Sequence, residues 1–333
     1  MASGGVFSSA EVHTELGTVA LATVKRAIKA LVDKRYLLVK GSGKATRYSI
    51  SPSYALLHTI EIEAYFQQEQ DARQSQTRFN HDLLDSLLLE VELFSTQDLT
   101  YLQGLQARFA ANVASLTKAE YAQEFERLAI DLSWKSSQIE GNTYSLLETE
   151  LLLKEQLTAK GKTKDEATML LNHKAALDIL VADTAIVRPI SVAVIEDIHA
   201  VLVQGLAVPR NLRNRRVGIS GTNYVPLDND FQIREALDKM CQIINGNHSP
   251  FIKAFLGLVL ISYIQPFADG NKRTARIVCN ALLMEAGHCP LSFRTVDSLT
   301  YKMAMLIFYE QNNVSATKRI FMEQYAFAVN TYF

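Results

Sequence analysis

The feature that most constrains the fold is a polar turn, residues 264–276, that lies between two apolar runs, Ala254–Tyr263 and Ile277–Met284. Each run is long enough for a buried helix. Pro266 has no backbone N–H and restricts the residue before it, so the first helix should end near Gln265. Asp-Gly-Asn is turn chemistry, and the second helix should begin close to Asn271. The sequence therefore predicts two buried helices joined by a tight polar loop.

The chemistry of this loop suits a polyphosphate. A helix start presents free N–H groups and a partial positive charge, which attract anions. Arg273 and Arg276 lie three residues apart and can reach one side of that position. Asp269 could hold a divalent cation that bridges phosphates. A simpler interpretation is also open, in which Asp269 and Asn271 only cap the turn and the arginines are surface charges.

The same residues carry a resemblance to a known family. Pro266-Phe267-Ala268-Asp269-Gly270-Asn271-Lys272-Arg273-Thr274-Ala275-Arg276 resembles the Fic signature His-Pro-Phe-x-Asp-Gly-Asn-Gly-Arg-x-x-Arg, with seven of nine fixed positions matched. Most members move AMP from ATP onto a hydroxyl of a target protein, so the resemblance implies ATP and Mg²⁺ as cofactors, with Asp269 as the metal ligand. The implied nucleotide-binding residues are Gly270, Asn271, Lys272, Arg273 and Arg276.

Two positions depart from this signature. Gln265 stands where the family carries its catalytic histidine, and Lys272 replaces the second glycine. An amide cannot take a proton as imidazole does, and general-base assistance is worth about 100- to 10,000-fold in rate. The sequence therefore supports an expectation of nucleotide binding more strongly than one of catalytic turnover. Lys272 also occurs in the related Doc branch, which resembles kinases, and the other histidines are expected to be structural or exposed.

A second motif lies about 130 residues upstream, where Ser136-Ser137-Gln138-Ile139-Glu140-Gly141 fits the family's inhibitory pattern Ser/Thr-x-x-x-Glu-Gly/Asn. The resemblance implies an inhibitory helix near residues 125–141. In that class the glutamate pairs with the second arginine of the signature, here Arg276, and Ser136 lies one turn earlier on the same face. We therefore expect an autoinhibited scaffold.

The N-terminal fifty residues are basic in a chain that is otherwise acidic. Their eight lysines and arginines against three acidic residues give +5, which leaves −6 for the rest of a chain of net charge −1. A capping box at Ser8–Glu11, a basic helix from Leu21 to Arg35 and two short strands resemble a winged helix-turn-helix domain. The candidate DNA-binding residues are Lys25, Arg26, Lys29, Lys44 and Arg47. The alternative is a small docking module whose charges are a solvated face.

A helical, exposed connector is expected from Ala55 to about Gln76. Amphipathic periodicity predicts further helices over 82–93, 98–113, 118–140, 163–182 and 192–206. Over residues 215–227 the sequence has an alternating pattern that is interrupted by glycines, which predicts a β-hairpin. The resemblance implies that this hairpin is a flap that binds a segment of the target protein as an added strand. The alternative is an ordinary surface hairpin. The flap residues are Gly221, Thr222, Asn223 and Tyr224.

These observations predict a mainly α protein with three parts: a winged-helix domain over residues 1–52, a helical connector over 53–109, and an all-helical Fic domain with a short β-hairpin flap over 110–333. No apolar run near twenty residues and no leader is visible, so a cytoplasmic location without membrane contact is expected. The three cysteines show no metal-binding spacing. The target protein, any cognate DNA and homodimer formation are left open.

Three functions compete on this basis. The first is a protein adenylyltransferase that is autoinhibited and weakened by Gln265. The second is an ATP-binding, DNA-binding regulator without catalysis. The third is a Doc-like protein kinase, which only Lys272 suggests.

Overall fold

The computed structural model describes residues 5–333 and is mainly helical, which confirms the predicted class. The N-terminal elements are α1 (Ser9–Leu16), α2 (Leu21–Asp33), β1 (Leu37–Lys40), β2 (Arg47–Ile50), α3 (Pro52–Leu57), α4 (Ile62–Phe66), α5 (Leu88–Glu90) and α6 (Thr96–Ser115). The remaining helices are α7 (Lys118–Ile139), α8 (Leu146–Glu155), α9 (Lys164–Ala182), α10 (Val192–Leu202), α11 (Asp230–Gly246), α12 (Pro250–Ile264), α13 (Asn271–Glu285), α14 (Ser298–Gln311) and α15 (Ser315–Tyr332). Single 3₁₀ turns lie at Gly43–Ala45, Gln70–Ala72 and Thr184–Val187, and a π-helical turn at Leu83–Leu87 precedes α5.

The N-terminal residues fold around a small core of their own. The side chains of Val24 and Ile28 on α2 pack with Leu37 on β1. β1 and β2 pair antiparallel, and Phe7 forms a bridge with Tyr48 on the outer edge. The predicted capping box at Ser8 and the two strands are confirmed. Apolar residues spaced 3.6 positions apart were enough to predict the helix, and a glycine-rich turn was enough to predict the two strands.

The connector is not one continuous helix, so that part of the prediction was wrong, whereas its polar second half, residues 67–71, is mostly exposed as expected. Residues 53–76 are broken into α3, α4 and a 3₁₀ turn, and Leu56 and Ile62 in the first half belong to the main hydrophobic core. Helix α6 also runs across the predicted domain boundary at residue 110. Composition suggested a polar linker, but a few buried apolar side chains outweigh many exposed glutamines because each removes a large apolar area from water.

Helix α12 is the centre of the main core. Its residues from Ala254 to Ile264 are all buried, and it packs most extensively against α13. The two helices approach closely at Gly257, where an added Cβ would lie 3.2 Å from side-chain atoms of Val278 and Leu282. The short connection between two rigid, fully packed helices fixes the polar loop 265–270 in space.

Residues 215–227 contain no regular strand, so the predicted paired strands of the hairpin were wrong. The segment turns at Ser220-Gly221 and then forms a single parallel bridge between Val225 and Arg78. The alternation that suggested a hairpin comes from side chains anchored in the core, of which Tyr224 is one. Among residues 5–333, no helix combines the length and the apolar character that spanning a bilayer requires.

Candidate functional site

The polar loop begins where α12 ends, at Gln265. Its backbone adopts the left-handed conformation, with φ of +52°, and its N–H donates to the carbonyl of Ile261. The Gln265 side-chain amide donates to the carbonyl of Ser262 at 2.6 Å and lies on the floor of a pocket. The predicted end of the first helix is confirmed, and the left-handed cap turns the chain sharply into Pro266.

Asn271 holds the loop together from the inside. Its Oδ1 accepts from the N–H of Phe267 at 2.8 Å, and its Nδ2 donates to the Phe267 carbonyl and to Oε1 of Gln265. Helix α13 begins at this residue as predicted, but its N-cap is Gly270, whose φ is +82°. Asn271 therefore shapes the loop instead of capping the helix, and the first N–H groups of α13 are left free of intrahelical partners.

Two further side chains support the loop from behind, and sequence reasoning missed both. Arg213 donates from Nε to the Gln265 carbonyl at 2.6 Å and from its backbone N–H to the Pro266 carbonyl. His199 stacks on the ring of Phe267 at 3.6 Å and places Nε2 3.0 Å from the Asp269 carbonyl. Burial lowers the pKa of His199, and it lowers the pKa of Arg213 to about 10. No local spacing links either residue to the loop.

A cavity of about 730 Å³ opens above the loop. Its floor includes Gln265, Asp269, Asn271 and Lys272, and Glu140 forms part of one wall. The other walls come from loop 217–221, from α14 and from the connector; these residues are Val217, Gly218, Ile219, Ser220, Gly221, Leu299, Lys302, Met303, Met305, Leu306, Tyr309, Phe66, Gln68, Glu69, Gln70 and Arg73. The volume lies in the range of small-molecule and cofactor sites.

The two signature arginines are buried behind this cavity and do not line it. The side chain of Arg273 is 1% exposed, and its Nη2 donates to the Asp269 carboxylate at 3.2 Å. Arg276 is fully buried, with its guanidinium 5.4 Å from the Tyr301 ring centroid. Nε and Nη1 of Arg273 and Nη1 of Arg276 have no hydrogen-bond partner within residues 5–333. Buried guanidinium donors without acceptors call for an explanation, and a bound anion would supply the missing acceptors.

Glu140 lies between the cavity and Arg276. Its Oε1 accepts from Nη2 of Arg276 at 2.8 Å, and its Oε2 lies 3.5 Å from Nζ of Lys272. Ser136 completes the arrangement, because its Oγ accepts from Nε of Arg276 and its carbonyl from Nη2, both at 2.8 Å. The structure thus contains the expected pair of Glu140 with Arg276, and it adds a direct contact between Ser136 and Arg276.

The position of Glu140 is unfavourable for α7 itself. It is the C-cap, where the helix dipole repels a carboxylate, and Gly141 follows with φ of +99° to turn the chain away. Burial raises the pKa of the Glu140 carboxyl, but the charges of Arg276 and Lys272 more than offset this, so the pKa lies below its ordinary value. Glu140 is therefore an anion held by the cations at the start of α13.

The four predicted flap residues do not face the cavity together. Gly221 lines it, whereas Thr222 and Tyr224 are buried, and the Tyr224 hydroxyl donates to the Tyr263 carbonyl at 3.0 Å. Asn223 bonds to the connector. Tyr224 is therefore a core anchor, and the cavity edge is formed by the preceding residues 217–221.

The five candidate DNA-binding side chains, Lys25, Arg26, Lys29, Lys44 and Arg47, are all exposed. No histidine lines the cavity among the described residues. His173 is fully buried near the signature arginines, and burial and both arginine charges lower its pKa well below the ordinary value. It is consequently neutral and shielded from the cavity.

Comparison with known proteins identifies similar sequences for part of this chain. Residues 189–283 match the profile of the Fic/DOC family. The chain is 30% identical over 195 residues to the protein adenylyltransferase Fic of Drosophila virilis, covering 56% of this chain and 38% of that protein. It is 27% identical over 225 residues to the protein of the same name in Drosophila yakuba, covering 64% and 44%. The chain thus spans less than half the length of these curated relatives.

Solved structures show the same fold. Fic-1 (residues 134–508) from C. elegans superposes with a TM-score of 0.60 at 18% identity, covering 71% of each chain. A Fic family protein from Desulfovibrio desulfuricans G20 gives a TM-score of 0.58, also at 18% identity, covering 71% of this chain and 74% of that chain. Because the family profile coincides with the loop, its supporting residues and the helices α10 to α13, the chain contains a Fic/DOC domain.

Proposed function

We propose that this chain is a protein adenylyltransferase of the Fic type, which binds ATP in the cavity above the polar loop and is restrained by Glu140. The observation that carries the proposal is the position of the Glu140 carboxylate. It lies in the cavity wall and occupies Arg276, the more deeply buried of the two signature arginines. A polyphosphate that entered the cavity would compete with this carboxylate for the same guanidinium.

The loop offers a polyphosphate several donors. The free N–H groups at the start of α13 point toward its N-terminal end, and the helix dipole favours negative charge there. Lys272 lines the cavity, and directly behind the floor the buried Arg273 holds two donors without partners in residues 5–333. These groups support a seat for phosphates at the floor.

The residues present also fit a Mg²⁺ ion that is bound together with a nucleotide. Mg²⁺ is usually held by one or two carboxylates plus substrate phosphates. Asp269 lines the cavity with a side chain that is 67% exposed, and within residues 5–333 only Arg273 contacts its carboxylate. Asp269 would therefore be the protein ligand, and the ion, when bound, would neutralise phosphate charge.

Gln265 limits what the site can do chemically. Its amide is 7% exposed and is engaged by Asn271 and Ser262, so it can position a hydroxyl but cannot take a proton from it. Positioning and charge stabilisation remain available without a general base. We therefore expect this chain to bind the nucleotide but to transfer AMP slowly.

The first test measures ATP-Mg²⁺ binding by calorimetry. Glu140→Gly should raise the affinity by about 10- to 100-fold, since one charged hydrogen bond no longer competes for Arg276. Gly is compatible with the C-cap position that Glu140 occupies.

Two matched variants sharpen this result. Glu140→Gln retains the shape of the side chain without its charge and should give an intermediate gain. Glu150→Gln removes an exposed carboxylate on α8 and should change nothing. If ATP binds neither the natural chain nor Glu140→Gly, the proposal is wrong.

A second candidate function, DNA binding by the N-terminal module, is favoured by one observation. The face of α2 opposite the buried Val24 and Ile28 carries Lys25, Arg26 and Lys29, all exposed. Such a helix face beside a two-stranded wing suits a phosphate backbone.

Duplex DNA binding should weaken steeply as salt rises, if this second function holds. Replacing Lys25, Arg26 and Lys29 with alanine should reduce the slope of log K against log[salt] by about 0.9 for each DNA phosphate that these side chains neutralise. Replacing Lys160 and Lys164, which lie in the helical domain, is the control. A slope that is equal in both variants would exclude this face as the DNA-binding surface.

A further inference from the structure

The connector between the N-terminal module and the helical domain passes directly along the edge of the cavity. Residues 66–78, called the strap below, supply Phe66, Gln68, Glu69, Gln70 and Arg73 to the cavity wall. The strap lies outside the residues that match the Fic/DOC profile. Its contacts with the rim loop, residues 217–225, are numerous and polar.

Arg73 is the main anchor of the strap. Its Nε and Nη2 donate to the two carboxylate oxygens of Glu310 at 3.0 and 2.9 Å, with side chains 6% and 1% exposed. The same Nη2 donates to the Gly221 carbonyl at 2.6 Å. Arg73 therefore joins three elements, namely the strap, α14 and the tip of the rim loop.

Two further contacts continue along the rim loop. Gln70 donates to Oδ1 of Asn223 at 2.7 Å, and Nδ2 of Asn223 donates to Asp71 at 3.0 Å. Farther along, the N–H of Val225 donates to the Thr77 carbonyl at 3.1 Å within the parallel bridge to Arg78. The strap thus uses both backbone and side-chain groups of the rim loop.

These contacts occupy the groups that an extended polypeptide needs in order to bind beside the rim loop. A peptide that added to this edge would require the Val225 N–H and the Gly221 carbonyl, and the strap already bonds to both. The nucleotide seat is different, because Asn271, Lys272 and Asp269 lie on the floor. Strap and nucleotide can therefore be present together, whereas strap and a peptide on this edge cannot.

We propose that the strap is a built-in cover of the acceptor side of the cavity, and that its release from the rim loop admits a polypeptide acceptor. This inference rests on the proposed function, because it assigns the covered edge to the acceptor. It is independent of Glu140, which restrains the nucleotide side. Two separate restraints would then act on one cavity.

Hydrogen exchange measured by mass spectrometry tests the cover without any transfer reaction. Arg73→Ala should speed exchange of the rim-loop amides by about 10- to 100-fold, the equivalent of one charged hydrogen bond. Asn223→Ala is the milder variant, which keeps the buried Arg73–Glu310 pair and should give a smaller increase confined to the same amides. ATP-Mg²⁺ affinity should stay within about twofold of the natural chain in Asn223→Ala, since no nucleotide-seat residue changes. Rim-loop exchange that is unaltered in both variants would overturn the cover.

A reversible cross-link tests the acceptor side. Residues 78 and 225 form a bridge, and bridged residues lie about 5 Å apart at Cα, within disulfide range. The natural cysteines at 241, 279 and 289 are buried, so Arg78→Cys with Val225→Cys should form the only new pair. These two cysteines are introduced into a Glu140→Gly, Gln265→His chain. The disulfide between positions 78 and 225 should reduce AMP transfer to a mixed serine and threonine peptide library, and its reduction by dithiothreitol should restore the transfer.

The two assays separate the possible failures. Equal transfer in the locked and reduced forms would overturn the cover. Absence of transfer in both forms, with ATP bound, would count against the proposed adenylyltransferase function, and the exchange measurement would then decide the cover alone.

Discussion

An imidazole introduced at position 265, in a chain freed of Glu140, should raise AMP transfer by about 100- to 10,000-fold, which is the usual contribution of a general base. The structure supports the exchange. Gln265 has φ of +52°, a conformation in which histidine is several-fold enriched among non-glycine residues. The side chain already lies on the cavity floor, so an imidazole there would face an acceptor hydroxyl.

The measurement compares Glu140→Gly with Glu140→Gly, Gln265→His, using ATP labelled at the α-phosphate and the serine and threonine peptide library as acceptor. The control carries Glu140→Gly together with Gln265→Asn, because asparagine also tolerates the left-handed conformation but provides no base. Equal rates in all three chains would contradict a role for position 265 in transfer. A parallel reaction with ATP labelled at the γ-phosphate distinguishes the kinase alternative, since label on the acceptor there would show phosphate transfer.

Glu310→Ala should lower the free energy of unfolding by about 3–5 kcal/mol, because it leaves the buried Arg73 guanidinium without its carboxylate. It also removes the acceptor of the Tyr65 hydroxyl, which donates to Oε2 at 2.6 Å. Burial and this hydrogen bond raise the pKa of Tyr65 to about 12, which reflects how closely the cluster is packed. The effect is large because breaking one side of a buried pair costs more than the pair itself contributes.

Urea denaturation is the measurement, and the expected result is a lower midpoint with an unchanged slope. The matched control is Glu150→Ala, which removes the partner of Lys154 in an exposed pair on α8, and it should leave the midpoint nearly unaltered. If both variants shift the midpoint equally, Glu310 is not held as the structure shows.

The local structure of the site was predictable from the residues. Pro266 ended α12 and the Asp-Gly-Asn turn started α13 where expected, because both depend on backbone preferences of a few adjacent residues. The capping box at Ser8 was correct for the same reason. The paired strands over 215–227 failed, because alternation is also produced by side chains such as Tyr224 that anchor an irregular loop in the core.

The contacts between distant residues divide into two kinds. The pair between Glu140 and Arg276, 136 residues apart, was expected only from the co-occurrence of two family motifs, since no periodicity relates them. Arg213, His199 and Arg73 gave no signal, because a lone arginine or histidine in a loop or helix has the same local pattern whether it faces solvent or a buried carbonyl. Their roles depend on which surfaces pack together.

By itself, the sequence determined the helical class, the position of the polar loop and the chemistry that the loop carries. Short-range rules are sufficient there, because capping, turns and apolar periodicity act within about four residues. Only the tertiary structure decided that both signature arginines are buried, that Glu140 stands between Arg276 and the cavity, and that the connector forms one of its walls. Those outcomes follow from close packing of elements far apart in the chain, where burial outweighs the local polarity of a segment.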